Sequence, residues 1–202
     1  MFSLNHVREA WKRFAEEFGA QHIGVGEPYG LEILDKIVYE HHGVTITLDS
    51  IRTTPKTAGT RIYAPVTVSG NFNFDFSPEN FLWKIEKKFF GAQDVEIGDQ
   101  IFDEKLIVKT ENPEKLKLFL SNKKIRELLL AIPSHHSLWG ISFRVGETEL
   151  EARGDGGWQF DNLPRKGNYL VIMQNGIVDN AEHLRLTFQS AVESLEQLKN
   201  LK

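Results

Sequence analysis

The chain has 202 residues, 41% of them hydrophobic and 26% charged, with a formal net charge of −4. That balance belongs to a folded globular protein with room for a sizeable core, and its acidic sign disfavours nucleic acid, which is held by basic groups against phosphates. With no cysteine there are no disulfides, thiolate metal sites or cysteine nucleophiles, and no apolar run approaches the roughly 18 residues of a membrane span.

Leu4, Val7, Trp11, Phe14 and Phe18 recur at helical spacing, with Ser3 placed to cap the start and Gly19 to close the end. Arg8, Glu9, Lys12 and Arg13 interrupt any signal-peptide core, so the expected compartment is the cytoplasm. The stretch "GVGEPYG" (24–30) is a connector without the Gly-Lys-Ser/Thr of a phosphate loop. Residues 31–40 and 44–51 flank His41, His42 and Gly43 and read as a hairpin. In its second arm Val44, Ile46 and Leu48 alternate with Thr45, Thr47 and Asp49, which predicts one buried and one wet face. Residues 53–60 read as a loop. Two strands follow: Pro65 marks the first as an edge or a bulged strand, and Phe72, Phe74 and Phe76 share a face of the second.

The segment from Ser77 to Gly91 has the cap, early proline and closing glycine of a helix. A strand is expected from Ile101 to Thr110. Residues 111–133 give a broken helix, capped by Asn112, started by Pro113, interrupted at Ser121 and Asn122 and stopped by Pro133. Residues 138–153 read as a hairpin turning at Gly146, and 154–167 as a turn-rich excursion. Residues 168–173 make a last strand and 179–201 a long C-terminal helix. Hairpins outnumber strand–helix–strand units, so the expected class is α+β. It comprises one domain over 1–202, with a mainly antiparallel sheet of about six to eight strands and helices packed on it.

Chemistry is harder to place. The acids of "GDQIFDEKLIV" (98–108) fail the oxygen-ligand spacing of a calcium loop. Gly98 and Asp99 read as a turn, and strand parity sends Asp103 and Glu104 to opposite faces. Glu104 shares parity with Phe102 and Leu106, so it is the residue out of place, and a buried partner for it would be the first sign of a site. The doublets His41–His42 and His135–His136 offer one ring per face if extended, and no His-Glu-x-x-His motif accompanies them. No catalytic residue, metal ligand or cofactor is assigned. The lysines of 84–88 and 115–124, with Arg126, read as solvated helix faces.

In the C-terminal helix Ala181, Leu184, Phe188, Ala191, Leu195 and Leu198 step by three and four, a heptad-like seam. Leu184, Phe188, Leu195 and Leu198 are therefore a candidate interaction surface for a homodimer or a protein partner. Packing onto the chain's own sheet is the other reading of so wide a stripe. The leading functional expectation is a non-enzymatic soluble domain that binds or assembles. The alternatives are a metal-dependent hydrolase using loop His and Asp residues, and a carrier whose apolar cavity, lined by Phe72, Phe74 and Phe76, lies between a curved sheet and the last helix.

Phe102-Asp103, Leu106-Ile107-Val108, "LKLFLSNKKIRELLLAI" and "ISFRVGETELEA" stand in an order that resembles a bacterial family of uncharacterised proteins, over roughly residues 95–153. The resemblance implies a bacterial origin and brings no catalytic residue with it. Many members of that family carry membrane-spanning helices ahead of this region; with no span in this chain, membrane association is not carried over.

Overall fold

The computed structural model of the chain describes residues 4–24, 33–54, 57–67, 72–78, 95–132, 141–147 and 168–201. Helix α1 (Leu4–Phe18) opens the fold, and strands β1 (Gln21–Gly24), β2 (Ile33–His41), β3 (Val44–Thr54), β4 (Thr57–Pro65) and β5 (Phe74–Pro78) follow. Then come α2 (Gln100–Lys105), β6 (Leu106–Thr110), α3 (Pro113–Leu120), α4 (Lys123–Ala131), β7 (Ile141–Glu147), β8 (Asn168–Asn175) and α5 (Ala181–Lys199). The strands form one eight-stranded sheet in the order β1-β2-β3-β4-β8-β7-β5-β6, antiparallel at every pairing. The class is α+β, as composition and patterning imply.

Local chemistry sets most element ends. Asn112 caps α3 through the Lys115 amide, and Pro113 holds the first turn. Asn122 caps α4 through the Lys124 amide, so the break at Ser121 and Asn122 is real. Asn180 accepts from the His183 amide and starts α5. Gly19 closes α1 at φ +65°, a left-handed conformation that costs glycine nothing.

One apolar cluster covers a single face of the sheet. Ile37, Leu48, Ile62 and Ile172 line up across β2, β3, β4 and β8 in register. Trp11 and Phe14 of α1 and Leu184, Phe188, Leu195 and Leu198 of α5 pack on them. The Trp11 indole donates to the Val178 carbonyl at 2.7 Å, tying α1 to the connection before α5. Towards β5 and β6 the same layer continues in aromatic rings. Phe74 lies 4.9 Å from Phe72, 5.1 Å from Phe76 and 4.9 Å from Phe119, and Phe76 meets Phe102 edge-on at 6.0 Å. The three phenylalanines expected to line a ligand cavity are packed ring against ring.

Several expectations are corrected. Residues 53–60 are not a loop: β3 runs to Thr54 and β4 starts at Thr57. Pro65 ends an interior strand; the ladder between β3 and β4 has already stopped at Tyr63, so no sheet hydrogen bond is lost there. Gly146 is not a turn but a strand residue opposite Tyr169. Thr47 and Asp49, expected to be wet, are buried on the face away from the helices. The helix expected over 77–91 lies outside the described residues beyond Ser77 and Pro78, which end β5. The second hairpin arm after 147, the excursion 154–167, the connector after Gly24, and His135 and His136 also lie outside them.

Candidate functional site

The seam of α5 faces inward. Leu184, Phe188, Leu195 and Leu198 are all buried within the chain. The Phe188 ring meets Phe14 at 5.4 Å, Phe18 at 5.1 Å and Tyr39 at 5.4 Å. A free sheet face and an aromatic α1 both need covering, and the wide apolar stripe covers them. The surface those four residues were expected to offer a partner is thus used up internally.

The acidic stretch folds as a helix, α2, and not as the start of a strand. Strand parity therefore does not govern its acids. Asp99 is the helix cap: one carboxylate oxygen accepts from the Phe102 amide and the other from Arg126 Nε at 2.9 Å. Asp103 turns back to accept from the Ile97 and Gly98 amides at 3.0 and 2.9 Å. Glu104 is exposed and takes a hydrogen bond from the Gln100 amide group, so the suspected anomaly is an ordinary surface pair one helical turn apart. The hydrogen bond from Phe102, aided by Arg126, holds the Asp99 carboxyl below the usual aspartate range. Three acids thus perform three separate structural tasks. Beside them lies an open cleft of about 390 Å³, lined in part by Asp99, Lys117, Leu120, Ser121 and Arg126. Close to its lining residues in the chain, two large apolar side chains stand in solvent: Ile101, two residues after Asp99, is 60% exposed and Leu118, next to Lys117, 56%.

Two buried charge clusters escaped the sequence reading. On β3 and β4, Asp49 and Arg61 are register partners and pair through two parallel hydrogen bonds, of 2.9 and 2.5 Å. The Arg61 guanidinium also lies 4.9 Å from the centre of the Tyr63 ring. Burial pushes the Asp49 carboxyl up, against the opposing hydrogen bonds and charge of Arg61 and the charge of Lys36. Burial, followed by the charge of Asp49, likewise raises the Tyr63 phenol. On the helix-covered face Asp35 accepts from Arg8 Nε at 3.2 Å, with His22 at 3.6 Å, and its amide donates to Ser50 Oγ. No local motif marks either cluster, because each depends on which strands and helices become neighbours.

The β2–β3 turn is the remaining concentration of reactive side chains. His42 and Gly43 form a two-residue loop with φ of +48° and +79°, the sign pattern of a type I′ hairpin. In that conformation the two rings do not go to opposite faces, as an extended doublet would send them. They meet edge to face at 4.4 Å. Across from them stands Glu196 of α5, whose Oε1 lies 2.7 Å from His41 Nε2 and 2.9 Å from Lys199 Nζ. Hydrogen bonding from Lys199 first, with His41 contributing, holds the Glu196 carboxyl below its ordinary range.

The described residues thus form an α+β fold whose antiparallel sheet carries five helices on one face, with the interior charges Asp35, Asp49 and Arg61 in intramolecular pairs. That fold is similar to the crystal structure of the mycobacterial trehalose monomycolate transport factor A, TtfA. The TM-score is 0.51 at 11% identity, covering 96% of this chain and 93% of that one. At such an identity the likeness is one of fold. No protein-family model matches the chain and no curated protein does. Among the described residues no helix is long and apolar enough to cross a membrane.

Proposed function

We propose that this chain is a non-enzymatic accessory domain of bacterial origin, acting in assembly or transport by binding a protein partner at the corner built from α2, α3 and α4. The observation that carries the reading is the exposure of Ile101 and Leu118, chain neighbours of the Asp99 and Lys117 that line a polar cleft. Apolar side chains standing in solvent beside a mixed-charge rim are the composition of a recognition surface. Lys117 lines the cleft with no ion-pair partner among the described residues, which suits a partner segment carrying both apolar and acidic side chains. Two facts support a binding role over catalysis. Asp35, Asp49 and Arg61, the buried charged residues among those described, are each spent on an intramolecular pair. The fold is also similar to that of a protein named as a transport factor. The resemblance of residues 95–153 to a bacterial family supports the origin.

A photo-crosslinking side chain at position 118, in cells of the organism that encodes the protein, tests this. A discrete protein adduct is expected, absent when the same group replaces Arg13 on the exposed face of α1 and lost when Ile101→Asp is added. No adduct at 118, or one of equal yield at 13, would overturn the reading.

A further inference from the structure

The hairpin tip of β2–β3 and the last turns of α5 bring together three donors of one kind of site. His41 ends β2, His42 occupies the turn, and Glu196 faces them from a helix 155 residues on from His41. One nitrogen from each imidazole and one carboxylate oxygen all lie within 4.8 Å of one another. We propose that His41, His42 and Glu196 bind a divalent transition cation of the Zn²⁺ class, leaving a fourth position open to water or to a donor from outside the chain.

The donor set chooses the cation. Two imidazoles with one carboxylate suit zinc, copper, nickel or cobalt; calcium and magnesium ask for oxygen throughout. The geometry is close to what such an ion needs. Bonds of about 2.0–2.1 Å in a tetrahedron put neighbouring donors roughly 3.4 Å apart. His41 and Glu196 are already in contact at 2.7 Å. The remaining gap closes by side-chain rotation alone, because His42 is exposed and the Glu196 side chain is 42% exposed.

The turn itself makes this juxtaposition informative. A type I′ loop favours Asn, Asp or Gly at its first position, so turn chemistry alone does not call for an imidazole there. Its left-handed backbone is what swings the His42 ring onto the side of His41. Opposite, Lys199 sets an ammonium against the Glu196 oxygen that faces His41. An ammonium therefore already sits against the carboxylate oxygen that would hold the ion, and a cation binding there would take its place. Binding would clip the hairpin tip to the end of α5 and stabilise the fold by mass action.

The test uses the intact chain, stripped with chelator and titrated first with Co²⁺, read by its visible d–d bands, and then with Zn²⁺ by calorimetry. One equivalent of Co²⁺ is expected, displaced by Zn²⁺, with a rise in Tm. His42→Asn supplies a residue that the turn prefers, so the fold is kept while a ligand is removed; affinity is expected to fall at least about tenfold. Glu196→Gln is expected to do the same, and Lys199→Met to tighten binding by releasing the carboxylate. Failure of either ion to bind, or stoichiometric binding unchanged in both His42→Asn and Glu196→Gln, would overturn the assignment. Weaker binding in Lys199→Met would also count against it.

Discussion

Two aspartate–arginine pairs occupy opposite settings in this molecule. Asp49 and Arg61 are cross-strand neighbours in the middle of the sheet, with side-chain exposures of 0% and 1%. Asp99 and Arg126 join the cap of α2 to α4 at the cleft, with exposures of 33% and 19%. The partners are the same two residue types, yet the carboxyls move in opposite directions. For Asp49 the leading influence is burial, which raises it; for Asp99 it is a backbone N–H, which lowers it. At the first site the charges need each other to tolerate being dry. At the second the backbone has already fixed the acid, and arginine is an addition. A pair of the first kind is weak evidence of net stabilisation but costly to break on one side, whereas a pair of the second kind is modest in either sense.

The contrast can be broken most forcefully at the dry site. Arg61→Met strands the Asp49 carboxylate in the interior, and the expected loss is about 3–5 kcal/mol in urea unfolding. Adding Asp49→Leu should restore much of it, since exchanging the whole pair for apolar groups is often neutral or better. A loss below about 1 kcal/mol for the single variant would mean that water reaches the pair and that the two sites are alike after all.

A smaller effect is expected at the rim. Asp99→Ala removes the α2 cap together with the bond to Arg126. It should lower the urea midpoint by much less than Arg61→Met, while speeding hydrogen exchange at the Phe102 amide more than at Leu170 in the sheet. Uniform acceleration at both amides would show that α2 and the sheet open together, and would erase the distinction between the two regions.

Acid gives the subtlest comparison. The lowered carboxyls of Asp99, Glu193 and Glu196 contribute stability that is present above their unfolded pKa and is lost as pH falls through the folded value. The raised carboxyl of Asp49 has the opposite sign: its contribution is fully present below the unfolded pKa and is lost as pH rises through the folded one. Between about pH 6 and about pH 3 the three lowered carboxyls should therefore destabilise the fold while Asp49 partly offsets them. Asp99→Asn is expected to flatten the fall in urea midpoint over that range. An unchanged slope would mean that the Phe102 and Arg126 hydrogen bonds do not hold in solution.

The parts legible in advance are those decided within a few residues. The cap at Asn112, the break at Ser121 and Asn122, the glycine stop after α1 and the His42–Gly43 turn follow from chemistry that a short peptide already contains. The helix α2 is hidden for a related reason: six residues are too few for helical and strand periods to separate, and Gly98–Asp99 has the chemistry of a turn as well as of a cap. The His41–His42 doublet is visible in the sequence, but an extended backbone predicts the wrong directions for its rings. The left-handed φ of His42 was the fact needed, and a following glycine was its only sequence trace.

By itself the sequence determined an α+β protein, the positions of most helices, the β2–β3 hairpin and the apolar stripe of α5. Tertiary structure alone decided that the stripe turns inward onto α1 and the sheet, that β8 inserts between β4 and β7, that Asp49 meets Arg61, and that Glu196 reaches the hairpin tip. The division has a physical cause. Caps, turns and periodicity are settled by forces acting over one or two turns of chain, and so are written locally. Register, burial and the meeting of side chains 155 residues apart depend on which distant surfaces dry each other, and no local pattern records that choice.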